Sequence, residues 1–129
     1  MRRSIAEEAD RLAAQEIAAR RLGIGLLAIE RRDSGDVIGY CGLILGRGTL
    51  DEPEIAYELL RRFHGHGYGT EAARAIRDTA VATGRRRLWS TVRASNTPSL
   101  RVLEKIGFHR HHVDQPDDGA DVVYLLYEA

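Results

Sequence analysis

One glycine-rich stretch constrains this chain more than any other: Arg61 to Glu71 reads Arg-Arg-Phe-His-Gly-His-Gly-Tyr-Gly-Thr-Glu. It follows an apolar run, Ile55 to Leu60, and precedes an alanine-rich segment of helical period, Ala72 to Ala82. The glycines therefore fall in a strand-to-helix turn, where they permit positive φ and close approach of a ligand to the backbone. A helix start adds unpaired N–H groups and the positive end of the helix dipole. We predict an anion cradle, with phosphate as the expected ligand.

The rest of the chain predicts strands and helices on both sides of this turn. Ser4-Ile-Ala-Glu7 fits a capping box and starts a predicted amphipathic helix over about residues 5 to 21. A second helix follows the glycine turn and ends at Gly84, and a third opens with Thr97 as its cap and Pro98 at its first position. Six runs have strand character: Leu26–Glu30, Val37–Leu45, Glu54–Leu60, Leu88–Val92, Phe108–Val113 and Val122–Tyr127. Trp89, on a strand expected at the centre of the sheet, is predicted to be core.

Length and charge limit the kinds of protein this chain can be. With 129 residues it can bury roughly two thirds of its unfolded surface but is too short for two ordinary domains, so residues 1–129 are interpreted as one domain. Nineteen basic residues balance nineteen acidic ones, so we expect neither nucleic acid nor a membrane surface as partner. No apolar run approaches the roughly 20 residues of a membrane span. With a single cysteine, Cys41, and no signal peptide, the expected location is cytoplasmic.

Two familiar nucleotide-binding patterns fail in the glycine turn. No Gly-Lys-Ser/Thr ends it, so it is not a P-loop. A dinucleotide fingerprint fails because the third glycine stands at Gly69, one position early. On its own the turn leaves a purely structural role open.

Three segments taken together indicate the kind of protein in which this glycine turn occurs. Gly65-His66-Gly67-Tyr68-Gly69-Thr70-Glu71-Ala72, Val92-Arg93-Ala94-Ser95-Asn96-Thr97-Pro98-Ser99 and Leu103-Glu104-Lys105-Ile106-Gly107-Phe108 follow one another in order. In order and spacing they resemble the GNAT superfamily of acyl-CoA-dependent N-acetyltransferases, most closely the branch that includes ribosomal-protein alanine acetyltransferases. The resemblance spans about Leu26 to Tyr127. It implies an α/β fold of the α+β type, with a mixed, mostly antiparallel central sheet splayed at the cofactor cleft and flanked by helices.

The resemblance also implies how acetyl-CoA binds as co-substrate. The strand before the turn, here Tyr57, Glu58 and Leu59, pairs through its backbone with the pantetheine arm. The amides of the turn hold the pyrophosphate, here Gly65, His66, Gly67, Tyr68, Gly69 and Thr70. Asn96 matches a position that binds the cofactor arm where the two central strands part. Preorganised backbone amides suit this task because they carry no side-chain entropy cost.

Acetyl transfer to an amine needs a base for the amine proton and a proton for the leaving thiolate. Glu54 and Glu58 lie on the strand before the turn, and strict alternation puts them on one face of the sheet. We favour Glu58 over Glu54 as the base, with a solvated strand face as the alternative. Ser99 matches a serine that the branch uses near the thiol, and its alternative is an ordinary helix-start residue.

The chain departs from the family pattern at three places. Related N-terminal acetyltransferases carry a tyrosine seven residues after the asparagine, where this chain has Leu103. His64 replaces the arginine or glutamine common at the opening of the turn. Members of the branch usually begin with a strand, whereas this chain opens on the helix predicted from Ser4. The sheet is therefore expected to lack that strand unless a preceding segment supplies it, and a homodimer through sheet edges is then plausible.

The sequence thus predicts an N-acetyltransferase that moves an acetyl group from acetyl-CoA to a primary amine by direct attack, the acceptor being a protein N-terminus or a small molecule. The alternative is a degenerate CoA-binding or protein-interaction domain. An RNA-binding module rests only on Arg85–Arg87 and is less favoured. The five histidines lack cysteine or acidic partners at ligand spacing, so no metal is expected.

Overall fold

In a computed structural model, which describes residues 24–117 and 119–129, the chain forms one six-stranded sheet with two helices. The strands are β1 (Gly25–Glu30), β2 (Val37–Ile44), β3 (Glu54–Leu59), β4 (Arg87–Arg93), β5 (His109–Asp114) and β6 (Val122–Glu128). The helices are α1 (Tyr68–Ala82) and α2 (Thr97–Lys105), and a short 3-10 turn covers Arg61–Phe63. The predicted helix at about residues 5 to 21 and the question of a missing first strand lie outside the described residues.

The sheet has the order β1-β2-β3-β4-β6-β5 and is antiparallel throughout except between β3 and β4. This mixed, mostly antiparallel sheet flanked by helices confirms the predicted fold class. All six predicted strands are present, and no end is shifted by more than one residue. No helix within the described ranges is both long and apolar enough to cross a membrane.

The main core lies between the sheet and the two helices. Residues paired across strands share a face, so the pairs Leu43 with Ile55 and Val92 with Val123 direct their side chains to the same side. There they pack with buried residues of the helices, including Ala73 of α1 and the α2 residues Leu100 and Leu103. The opposite face of β3, β4 and β6 carries polar and aromatic side chains: Glu54, Glu58, Trp89, Thr91 and Tyr124.

Glycines in β2 are required by close packing. A Cβ at Gly39 would overlap the Glu58 carbonyl oxygen, and one at Gly42 would overlap the Gly25 carbonyl oxygen. These contacts lie within the β1–β2–β3 part of the sheet.

Three local expectations need correction. Helix α1 begins at Tyr68, so Gly69 lies inside its first turn rather than in the preceding loop. Asn96, not Thr97, caps α2, because its side-chain oxygen accepts the N–H of Ser99 at 3.3 Å. Trp89 is only half-buried, because the odd-numbered residues of β4 face away from the helices.

Candidate active site

The central feature of the site is a gap between β3 and β4. The two strands share a single register pair, Glu54 with Trp89, and the Trp89 N–H donates to the Pro53 carbonyl oxygen at 3.0 Å. One residue further on, the Ser90 hydroxyl replaces a backbone donor and bonds the Ile55 carbonyl oxygen at 3.1 Å. Beyond that point the strands diverge, which confirms the splayed sheet.

The edge of β3 that borders this gap carries backbone groups that do not pair with β2. The Leu60 N–H donates to the Ile38 carbonyl oxygen at 2.8 Å, so the even-numbered residues of β3 pair with β2. Tyr57 and Leu59 therefore direct their N–H and C=O groups towards the gap. His64 folds back to this edge, with its Nε2 atom 3.1 Å from the Leu59 carbonyl oxygen.

The glycine turn leads directly from this edge into α1. Gly65 and Gly67 each have φ of 80°, a conformation that favours glycine, and a Cβ at either position would meet nothing within 4 Å. The outer side of the turn is thus open to a ligand. Gly69 lies beneath it, where a Cβ would make ordinary contact with the side chains of Leu59 and Tyr57.

The first amides of α1 are available at this open side. Gly67 is the N-cap residue, and within the described chain no side chain caps the helix. The first i to i−4 hydrogen bond of the helix is donated by the Glu71 N–H to the Gly67 carbonyl oxygen. The N–H groups of Tyr68, Gly69 and Thr70 precede it and have no intrahelical acceptor. His66 is exposed, with its ring 5.7 Å from that of Tyr68.

Tyr57 and Ser99 meet where α2 approaches β3. The Tyr57 hydroxyl lies 2.9 Å from the Ser99 Oγ and 3.2 Å from the Ser99 carbonyl oxygen. Burial raises the pKa of Tyr57, and the hydrogen bond with Ser99 opposes part of that rise. The phenol therefore stays protonated near neutral pH and can donate a hydrogen bond. Leu103, at the family's tyrosine position, is completely buried in the core.

The two glutamates share one face, as predicted, because the β2–β3 register runs without a shift from Glu54 to Leu59. Their surroundings differ. Glu54 is only 4% exposed, and its two carboxylate oxygens accept the Arg47 N–H at 2.5 Å and the Thr91 hydroxyl at 2.7 Å. Glu58 is exposed and accepts the Tyr40 hydroxyl at 2.6 Å. Glu54 lies where the gap begins, whereas Glu58 lies near the far end of β3.

A cavity of about 350 Å³ opens beside Glu54 on the sheet face opposite the helices. We call it the sheet-face cavity; its lining includes Arg47, Glu52, Glu54, Trp89, His112 and Tyr124. Sequence reasoning missed it because the residues come from four separate segments. The only available signal was parity: Glu54 pairs with Trp89 and Tyr124 pairs with Thr91, which places all four side chains on one face of the sheet.

Other residues singled out from the sequence lie apart from the gap or are unreactive. Cys41 is 2% exposed, and burial raises the pKa of its thiol to about 12, so it is a poor nucleophile. Arg85–Arg87 follow the C-terminal end of α1, roughly 22 Å along the helix from the glycine turn. Within residues 24–117 and 119–129, no group of three or more His, Cys, Asp or Glu residues has a metal-holding arrangement.

Comparison with known proteins identifies the family. Residues 2–109 match the model described as the acetyltransferase (GNAT) domain. The chain belongs to the GNAT acetyltransferase family. Among curated proteins, this GNAT chain is 34% identical over 91 residues to the uncharacterized protein YkkB of Bacillus subtilis (strain 168), an alignment that covers 67% of the chain and 52% of YkkB. The chain thus spans about half the length of this relative.

Solved structures share the fold of this GNAT protein. The yncA protein of Salmonella typhimurium, a putative acetyltransferase solved with its cofactor acetyl-CoA, matches with a TM-score of 0.77 and 21% identity, over 92% of this chain and 72% of that one. Ribosomal-protein-S5-alanine acetyltransferase from Vibrio fischeri matches with a TM-score of 0.79 and 18% identity, over 98% and 76% of the two chains. At these identities the likeness establishes the fold.

Proposed function

We propose that this GNAT protein is an acetyl-CoA-dependent N-acetyltransferase that acts on a primary amine. The observation that carries the proposal is the junction of an open strand edge with an uncapped, glycine-led helix start. Tyr57 and Leu59 offer backbone groups on one side of the gap, and the first amides of α1 offer donors at its end.

The residues at this junction fit acetyl-CoA. An amide-containing arm can pair with Tyr57 and Leu59 as an added strand would, since both residues face the gap. A pyrophosphate suits the turn from Gly65 to Thr70, because the amides and the helix dipole favour negative charge and no Cβ covers the open side. Asn96 keeps its side-chain NH₂ group for the arm while its oxygen caps α2. His64 must release the Leu59 carbonyl oxygen if that atom is to accept from the arm.

Bound acetyl-CoA would supply the acetyl thioester, and side chains of this protein would accept the amine proton and donate a proton to the sulfur. An N–C bond forms at the amine while the C–S bond breaks. We assign Glu54 as acceptor of the amine proton, directly or through a water, because it lies at the start of the gap and lines the adjoining cavity. This reverses the preference for Glu58 stated from the sequence. Ser99, held by Tyr57, donates a proton to the sulfur.

Membership of the branch that includes ribosomal-protein alanine acetyltransferases is part of the proposal. It rests on the Asn-x-x-Ser motif at Asn96 and Ser99, together with the run into Thr70-Glu71-Ala72. The solved members of that branch support it only through the shared fold.

Two measurements test the proposed function. Calorimetry should detect saturable binding of acetyl-CoA, and thiol release should then depend on an added amine. Absence of binding up to millimolar cofactor would refute the cofactor assignment. Binding without amine-dependent thiol release across an amine and peptide panel would instead favour the degenerate CoA-binding domain, an alternative consistent with the buried Leu103.

A further inference from the structure

The sheet-face cavity has the size and position of a binding site for a small molecule. Its volume of about 350 Å³ lies at the lower end of the range for ligand pockets, roughly 300–1,000 Å³. Glu54 and Thr91 line it and also mark the point where β3 and β4 part. A molecule in the cavity would thus approach the gap from the face opposite the helices.

Three aromatic rings form one continuous wall of the cavity. Tyr124 stacks on His112 with ring centroids 4.2 Å apart and an interplanar angle of 17°. His112 in turn meets Trp89 edge-on at 6.3 Å. The Trp89 indole N–H donates to the Glu52 carboxylate at 3.0 Å, which fixes the orientation of the ring. This wall can cover an apolar or aromatic body.

The charged groups of the cavity favour a cation. The lining contains two carboxylates, Glu52 and Glu54, and one guanidinium, that of Arg47. Arg47 is engaged by Tyr124: its Nη1 donates to the hydroxyl at 2.6 Å, and the guanidinium lies 5.5 Å from the ring centroid. Glu54 accepts one hydrogen bond on each oxygen, which leaves lone pairs on both for a further donor.

We propose that the sheet-face cavity binds a small primary amine with an aromatic body, an arylalkylamine. The ring lies against Trp89, His112 and Tyr124, and the ammonium group lies at Glu54. This deepens the proposed function, on which it rests, by naming a class for its acceptor. A protein N-terminus is the alternative acceptor class.

Trp89 is the only tryptophan of the chain, so its fluorescence reports on the cavity directly. The protein is titrated with 2-phenylethylamine, with and without saturating CoA. We expect a saturable change in emission, and binding of the neutral analogue 2-phenylethanol at least about tenfold weaker, because the charged hydrogen bond to Glu54 is lost. No saturable change with the amine in either condition overturns the proposal, even where calorimetry shows that CoA binds. If CoA fails to bind but the amine does, the cofactor assignment fails and the cavity assignment stands.

Single substitutions distinguish recognition of the ammonium charge from a general disturbance of the fold. Glu54→Gln should weaken phenylethylamine by about tenfold and leave phenylethanol unchanged, a difference that a merely structural role would not produce. Glu104→Gln, an exposed glutamate of α2 that pairs with Arg110, is the matched control and should change neither titration. His112→Ala should weaken both ligands, whereas His109→Ala on the same strand should weaken neither. Equal losses for amine and alcohol in Glu54→Gln would overturn the assignment of the ammonium site.

Two competing ligands complete the test. L-Phenylalanine carries the same ring with a carboxylate, and tighter binding than phenylethylamine would show that Arg47 selects an anion. A short peptide with a free N-terminus that binds at least about tenfold more tightly would place a protein terminus in the cavity. Either result overturns the arylalkylamine assignment, and weaker binding of both supports it.

Discussion

The glycine turn offers a controlled perturbation, because a second glycine of the same helix shares its conformation but not its position. Gly67 precedes α1 with φ of 80°, and Gly84 follows it with φ of 94°. A Cβ at either site meets no protein atom within 4 Å. Alanine at each therefore imposes backbone strain without a clash, at opposite ends of α1.

The stability cost should be similar in the two variants. An alanine held at positive φ costs about 1–2 kcal/mol. For a chain of 129 residues this corresponds to a melting temperature lower by roughly 4–7 °C in both Gly67→Ala and Gly84→Ala. Thermal unfolding by circular dichroism, in the absence of ligand, measures this shared effect.

Only Gly67→Ala should weaken the binding of acetyl-CoA. Its methyl group would stand on the open side of the turn, beside the amides proposed to hold the pyrophosphate. We expect acetyl-CoA affinity to fall by at least about tenfold, equivalent to about 1.4 kcal/mol, with Gly84→Ala unchanged. Calorimetry of both variants at a temperature where each is folded gives the comparison. Equal affinities in the two variants would refute the pyrophosphate cradle at Gly67.

Three further predictions follow from the contacts of the site. Ser99→Ala should lower kcat by about 100-fold or more with little change in acetyl-CoA affinity. Because Tyr57 acts through Ser99, adding Tyr57→Phe to Ser99→Ala should lower kcat by less than Tyr57→Phe does alone. Full activity of Ser99→Ala would show that another group protonates the sulfur. Glu54→Gln should reduce kcat by about 100-fold or more, whereas Glu58→Gln should change kcat by no more than about threefold. A larger loss of steady-state rate in Glu58→Gln would show that Glu58 is the base. Cys41 has a pKa of about 12 when folded, against 9.0 ordinarily, so the unfolded thiol ionises first. Its contribution to stability should be full below pH 9 and fall by about 1.4 kcal/mol per pH unit towards 12. In Cys41→Ala, denaturant unfolding should show a smaller fall in the free energy of unfolding between pH 9 and 12. An unchanged pH dependence would contradict this role of the Cys41 thiol.

Most of the sheet could be predicted from the sequence because its signals are local. Apolar runs bounded by turn residues located all six strands to within one residue at each end. The start of α1 was predicted too late, because glycine is a strong turn signal and yet Gly69 takes part in the first helical turn. A Cβ there would make only ordinary contacts with Leu59 and Tyr57, so packing does not by itself require glycine.

The site was only partly predictable because its decisive contacts join distant segments. Glu54 and Glu58 follow the same alternation, and only the point at which β3 leaves β4 distinguishes them. Tyr57 and Ser99 are 42 positions apart in the sequence, so no local pattern of residues predicts that they are in contact. Trp89 was predicted as core since large aromatic residues on central strands usually are, but its face of the sheet borders a cavity.

The single register pair between Glu54 and Trp89 has a consequence for how the molecule is held together. The sheet consists of two three-stranded halves, β1-β2-β3 and β4-β6-β5. They are joined by one backbone register pair, by the hydrogen bonds of Ser90 and Thr91 to β3, and through the helices beneath. A ligand whose amides bond Tyr57 and Leu59 on one side and the opposite strand on the other would link these two halves by hydrogen bonds. Occupancy of the gap would then raise resistance to unfolding in both halves together, so that slower amide exchange in β6 would report on a molecule bound along β3.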